Sequence, residues 1–189
     1  MKCEIKTNSF KGQFWDNFFY GSVKDMKPDL VVNLGIYYGH VTYCMAKALD
    51  VIGKGELEGW DLWDEYPYTH CEMADAAANL DGLPIMLRQQ DAFEAHKHYI
   101  ENSVDLLFVD LSNNGDTFKR ILTDWYPIMK ADGKIMMEGG SKERDQVKWM
   151  LQYGFTPIHP VIHENNEWLM EKYLVTTINE WPSLTVFQK

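Results

Sequence analysis

The chain has 189 residues, 46% hydrophobic and 24% charged, which is globular composition and enough for one domain with a sizeable core. Its formal net charge of −10 argues against a nucleic-acid or anionic-membrane partner, because phosphate binding needs a basic footprint. No apolar run approaches a membrane span, the first residues lack the apolar core of a signal peptide, and the three cysteines, Cys3, Cys44 and Cys71, match neither a disulfide framework nor a zinc pattern, so a soluble protein of a reducing, cytoplasmic compartment is expected.

In chain order, residues 9–26 predict a helix, with Ser9 as a cap and Phe14, Trp15, Phe18, Phe19, Val23 and Met26 on one face. It covers a sheet edge or, alternatively, a ligand. Leu30, Val31, Val32 and Leu34 form a short apolar run suited to a buried parallel strand. Gly35 and Gly39 follow. Val41, Cys44, Met45, Ala48, Leu49 and Ile52 then recur at helical spacing. This strand, glycine turn and helix organise the rest, since ligands of open α/β sheets bind at the carboxyl ends of strands.

A second strand ends at Asp61, followed by a loop over Trp63–Tyr68. A weak helix spans Cys71–Leu80, and a third strand, Pro84–Arg88, leads to Asp91. Asp91 and Glu94 have capping-box-like spacing ahead of a helix running to about Glu101. Val104–Val109 is a strongly apolar fourth strand ending at Asp110. After a polar loop comes a helix with Phe118, Ile121, Leu122 and Trp125 on one face. Asp132-Gly133 reads as a turn before a fifth strand, Lys134–Met137, that ends at Glu138. Ser141 caps a helix holding Val147, Met150 and Leu151, which Gly154 terminates. The tail shows strand-like runs around Phe155–Ile162, Trp168–Ile178 and Ser183–Gln188, with no long helical pattern between them.

Strands alternating with helices predict a doubly wound, mostly parallel α/β sheet, and the tail predicts an antiparallel edge. The expected organisation is one domain, with a helical cover over 1–28, an α/β core over 29–154 and antiparallel strands over 155–189. The five strand ends, Asn33 with its glycine turn, Asp61, Asp91, Asp110 and Glu138, then share one rim. A buried strand has little use for a terminal carboxylate unless something polar meets it.

Tyr37 stands where the dinucleotide fingerprint needs its second glycine, and no G-K-[ST] sequence is present, which disfavours NAD, FAD and a phosphate loop. What remains is Gly35-x-x-x-Gly39, a turn suited to a ligand without a pyrophosphate. In their order and spacing, this turn, Asp61 in Gly59-Trp60-Asp61-Leu62-Trp63, Asp91 in Gln90-Asp91-Ala92, and the segment from Val104 to Glu138 are similar to the class I S-adenosylmethionine-dependent methyltransferases. The small-molecule O-methyltransferases of the macrocin and cephalosporin-biosynthesis type are the nearest match. The resemblance covers roughly residues 29–154. It implies a Rossmann-like, seven-stranded sheet and an S-adenosylmethionine cofactor.

By the same resemblance, Gly35 and Gly39 admit the methionine part of the cofactor, with Asn33 as an acceptor and Tyr37 and Thr42 in the same turn. Asp61 and Leu62 meet the ribose, and Asp91 and Ala92 the adenine. Asp110 borders the cofactor and orients a small-molecule acceptor or takes its proton. Two departures stand out. Asn33 replaces the usual acid, although its oxygen still accepts a hydrogen bond. The loop Asp110-Leu111-Ser112-Asn113-Asn114 lacks the Asp-x-Asp-His pattern of relatives. If strands four and five are neighbours, about 4.8 Å apart, Asp110 and Glu138 could share one Mg²⁺; otherwise one of them simply bonds within the loop.

His40 and His70 are candidate bases, with exposed loop histidines the favoured reading. Trp60, Trp63, Tyr66 and Tyr68 either stack a ring or pack the core. The leading expectation is a methyltransferase acting on a small molecule, at oxygen. The alternative is a methyltransferase-like module that binds a ligand or partner without turnover.

Overall fold

The computed structural model describes residues 1–67, 71–164 and 166–189. Seven strands form one sheet in the order β3-β2-β1-β4-β5-β7-β6. This is the Rossmann-like, mostly parallel arrangement expected, closed by an antiparallel edge. By internal contacts the chain divides into two compact units, residues 1–97 and 98–189.

In the first unit, α1 (Gln13–Met26) packs on α2 (His40–Ile52). The helix starts at Gln13 and not at Ser9, because Gly12 takes φ 98° and Phe10 folds back into the core. Phe10 meets Trp15 edge-on at 4.8 Å and Phe19 at 5.1 Å. The parallel strands β1 (Leu30–Leu34), β2 (Glu56–Asp61) and β3 (Ile85–Gln89) pair Leu34 with Trp60 and Asp61 with Gln89. Their carboxyl ends therefore fall on one rim. Between β2 and β3 lie a 3₁₀ turn at Trp63–Glu65 and α3 (Met73–Asn79). After β3 the expected helix is a 3₁₀ helix, Ala92–His98, shorter than the sequence suggested.

The second unit holds β4 (Val104–Val109), α4 (Gly115–Trp125) and β5 (Met129–Glu138). Asp132-Gly133 does not end a strand. The register jumps from Val104↔Met129 to Leu106↔Lys134, so the turn residues are a bulge inside β5. The single helix expected after Ser141 is two: α5 (Lys142–Asp145), capped by the Ser141 hydroxyl, which accepts from the Arg144 N–H at 3.1 Å, and α6 (Lys148–Tyr153). The strand-like run at Phe155–Ile162 is in fact α7 (Ile158–His163), and α8 (Glu167–Met170) follows. The reason is a cap supplied from elsewhere in the chain. The Asp145 carboxylate accepts from the Ile158 and His159 N–H groups at 2.9 and 2.8 Å, which fixes a helix start that local pattern does not signal. The antiparallel edge is β7 (Leu184–Gln188) between β5 and β6 (Leu174–Ile178). Among the described residues, no helix is long and apolar enough to cross a membrane.

Candidate functional site

The site is built around the turn from β1 to α2. Gly35 takes φ 87° and Gly39 φ 91°, both in the left-handed region that costs a side-chain-bearing residue free energy. At Gly39 a Cβ would also stand 2.9 Å from Leu80 Cδ1. Between them Tyr37 adopts φ 54° despite its side chain. Such a conformation costs of order 1–3 kcal/mol and persists only where its surroundings impose it.

Here the end of β2 imposes it. The Ile36 and Tyr37 N–H groups donate to Asp61 Oδ2 at 2.7 and 2.8 Å. The Trp63 N–H donates to Asp61 Oδ1 at 2.9 Å, and Trp63 Nε1 donates to the Tyr37 carbonyl at 3.0 Å. Gly35 N–H donates to the Trp60 carbonyl at 2.9 Å, and Asn79 Nδ2 to the Tyr38 carbonyl at 3.0 Å. Asp61 and the glycine turn therefore do meet, and they meet directly: the carboxylate braces the turn. Among the described residues, three of its roughly four acceptor positions are used, leaving one on Oδ1.

The other residues singled out in the sequence divide. Asn33 is fully buried; its Nδ2 donates to the buried Thr42 hydroxyl at 2.7 Å, while its Oδ1 is buried with no hydrogen-bond partner among the described residues. Leu62 is half-buried, and its carbonyl accepts from Gln89 Nε2 at 3.2 Å. Asp91 is exposed and accepts from the Phe93 N–H at 2.9 Å, the capping role its spacing suggested; Ala92 behind it is buried. Trp60 and Trp63 are buried in the core, and Tyr66 is exposed. Tyr68 and His70 lie outside the described residues.

Asp110 belongs to the second unit, where it directly follows β4 and is half-buried. The pairing of Val109 with Met137 sets it beside Glu138. Glu138 is otherwise engaged: Oε1 accepts from Arg144 Nη2 at 2.8 Å and Oε2 from Asn113 Nδ2 at 3.2 Å, all three residues being buried. Both carboxylate oxygens hold partners within the protein, so sharing a Mg²⁺ with Asp110 would first break a buried ion pair. Nearby, Gly140, Lys142, His159, His163 and Thr177 border a polar cleft of ≈ 360 Å³. His159 and His163 have ring centroids 4.6 Å apart, and burial together with the His159 charge lowers the His163 pKa.

His40 is corrected most. It is neither an exposed loop histidine nor a free base. It is buried at the first residue of α2, with Nδ1 at 2.9 Å from the Ile5 carbonyl and Nε2 at 2.8 Å from Asp16 Oδ1. Sequence reasoning missed this group because Asp16 sits on the buried face of α1 with no local signal of a partner. Arg144 was missed for the same reason, as one charge among four in α5.

A family model described as a methyltransferase domain matches residues 32–138. No curated protein matches the chain. Solved structures do: a methyltransferase from Geobacter sulfurreducens is 14% identical, with a TM-score of 0.65 over 95% of this chain and 80% of that one. An O-methyltransferase from Bacillus cereus in complex with SAH is 12% identical, with a TM-score of 0.65 over 97% and 84%. TomG, an O-methyltransferase of Streptomyces achromogenes involved in tomaymycin synthesis and solved with SAM, is 12% identical, with a TM-score of 0.66 over 94% and 80%. At these identities the structures establish a shared fold, and the family model spans more than half of the sequence. The chain belongs to the methyltransferase-domain family.

Proposed function

We propose that this chain is an S-adenosylmethionine-dependent methyltransferase that methylates a small molecule at oxygen, as in the macrocin and cephalosporin-biosynthesis type. The observation that carries the reading is the turn held open by Asp61: Gly35, Tyr37 and Gly39 all in left-handed conformations, with one carboxylate acceptor left over. The residues suit the cofactor at two points. Among the described residues Asn33 Oδ1 is a buried acceptor without a donor, a state that costs about 1–3 kcal/mol and that the cofactor's ammonium would relieve. The free position on Asp61 Oδ1 suits one ribose hydroxyl.

When bound, the cofactor supplies an activated methyl group on sulfur for in-line displacement. The protein's part is positioning. Gly35 and Gly39 keep the turn free of side-chain bulk. Asp61 fixes the turn's shape before any ligand arrives, so binding orders little further backbone. Leu62, Asp91 and Ala92 follow β2 and β3 on the same rim and border the base. Asp110 orients the acceptor and takes its hydroxyl proton. A metal is not required by this assignment, because Glu138 is neutralised by Arg144.

The commitment of Asp61 to three backbone donors favours one rival, a module that binds without turnover. Isothermal titration with S-adenosylmethionine and S-adenosylhomocysteine, followed by methyl transfer to a panel of hydroxylated metabolites, separates the two. Binding with transfer supports the enzyme, binding without transfer the module, and failure of both ligands to bind refutes the cofactor assignment.

A further inference from the structure

The N-terminal segment and α2 bring together three residues that the proposed methyl transfer does not use. The Cys3 and Cys44 sulfurs and a ring nitrogen of His40 all lie within 4.8 Å of one another. Cys3 is half-buried and Cys44 fully buried, so a solute reaches Cys3 first. Asp16 ties the group together, its Oδ2 accepting from the Cys3 N–H at 2.9 Å and its Oδ1 facing His40 Nε2 at 2.8 Å.

The protonation of His40 follows from its partners. The Ile5 carbonyl and the Asp16 carboxylate are both acceptors, one on each ring nitrogen. A neutral imidazole carries one N–H and satisfies only one of them; the imidazolium satisfies both. His40 is therefore a buried cation beside Cys3. The same hydrogen bonds leave no ring nitrogen for a metal, and two sulfurs alone do not complete the four-ligand set of a structural zinc.

We infer that Cys3 and Cys44 are a dithiol that a hydroperoxide converts to a disulfide, with Cys3 as the attacking thiolate, the His40 cation as its counter-charge and Cys44 as the resolving thiol. The titration behaviour agrees. The Cys3 thiol is lowered to about 5, first by the S–H that Cys44 donates and, against burial, by His40. Cys44 is pushed up by Cys3 and by burial, so it keeps its proton. Burial opposes the charge on His40, but the neighbouring Cys3 sulfur and the bonds to Ile5 and Asp16 outweigh that and raise its pKa to about 9. As a thiol, Cys3 donates to the His40 carbonyl at 3.8 Å, a length within the range of a sulfur hydrogen bond, and the thiolate gives that contact up.

The chemistry balances. The Cys3 thiolate attacks one oxygen of the peroxide, the O–O bond breaks, and the leaving hydroxide takes a proton to become water, leaving a sulfenic acid on Cys3. Cys44 then attacks the Cys3 sulfur as its S–H proton passes to the departing hydroxyl. A second water leaves, and the S–S bond forms. Two thiols lose two electrons, and one hydroperoxide gains them. The product fastens residues 1–12, which contain no helix or strand, to α2 five residues beyond Gly39.

The test is oxidation of the full chain by graded hydrogen peroxide, followed by intact mass and non-reducing peptide mapping, with Cys71 as internal reference. The expected result is loss of two hydrogens, a peptide pair joined through Cys3 and Cys44, reversal by dithiothreitol, and an intact Cys44 thiol in Cys3→Ser under the same dose. Cys3→Ser changes a half-exposed residue outside any helix or strand, and its fold is checked by circular dichroism. Three results would overturn the inference: Cys3 advancing to sulfinic acid without joining Cys44, Cys44 oxidising equally fast in Cys3→Ser, or purified protein holding one zinc per chain that protects both thiols.

Discussion

Asp61 and Glu138 each end a parallel strand, one in each compact unit, and each is held by the protein in a different currency of charge. Asp61 is half-buried and faces three neutral backbone N–H groups. These partners bring no cation to cancel its charge, and they shape a turn. Glu138 is buried against the Arg144 guanidinium and the Asn113 amide, and its charge is cancelled. Among the described residues Asp61 thus keeps an acceptor position, which the proposed ribose contact needs, whereas both Glu138 oxygens are engaged.

The largest effect is expected at the cancelled pair. Arg144→Met strands the Glu138 charge in a site where both side chains are nearly inaccessible, and should lower unfolding free energy by about 3–5 kcal/mol. Glu138→Gln/Arg144→Met removes both charges and should recover most of the loss. Urea titrations of the wild type, both single variants and the double variant check this; an additive double variant would show that the pair carries no special coupling.

At Asp61 the effect on stability is smaller and the effect on binding larger. Asp61→Ala removes the acceptor for three N–H groups and the brace on Tyr37, a loss of about 2–3 kcal/mol. It should abolish S-adenosylmethionine binding, whereas Asp61→Asn keeps the shape and one acceptor and should bind weakly. Calorimetric titration alongside thermal melts separates the two readouts. Gly39→Ala sharpens the comparison by straining the turn without touching the carboxylate. With φ 91° and Leu80 Cδ1 at 2.9 Å, it should cost about 1–2 kcal/mol, read from the urea midpoint.

Sequence carried much of the fold because strands and glycines announce themselves locally. The β4 run Val104–Val109 coincides with the observed strand, and Asp61 ends β2 as its position indicated. What the sequence hid were interactions across distance. Asp145 starts α7 from thirteen residues upstream, turning a β-rich run into a helix. Phe10 folding onto Trp15 delays α1 to Gln13. At the site, the residue types near the rim were legible, but what they touch was not. Trp63, open between stacking a ring and packing the core, is buried and donates to the Tyr37 carbonyl, and His40, read as a base or an exposed loop residue, is buried against Asp16 of α1. Pairings between side chains distant in sequence leave no periodicity to read.

The subtlest prediction concerns the Cys3–His40 pair, and its sign follows from counting protons. Cys44, Asp16 and the N-terminal amine also face this group. His40, raised to about 9, contributes stability that is complete below about 6.5 and lost as pH rises through 9. Cys3, lowered to about 5, contributes stability that is complete above about 8.5 and lost as pH falls through 5. Between about pH 7 and 8 the folded pair holds close to one proton, on His40, and the unfolded pair also holds close to one, on the thiol. Nearly equal proton counts mean little slope, so the pair adds little to the pH dependence of the wild-type protein across that window. Cys3→Ser removes the thiol's titration and also the largest contribution that raises His40. The Ile5 carbonyl and the Asp16 carboxylate still face both ring nitrogens, so the folded variant holds more proton on His40 than its unfolded chain does, and stability falls as pH rises. Urea unfolding of both proteins from about pH 7 to 8 reads the difference in slope directly. Parallel curves would mean that His40 is neutral and that the ring bonds only one of its two acceptors.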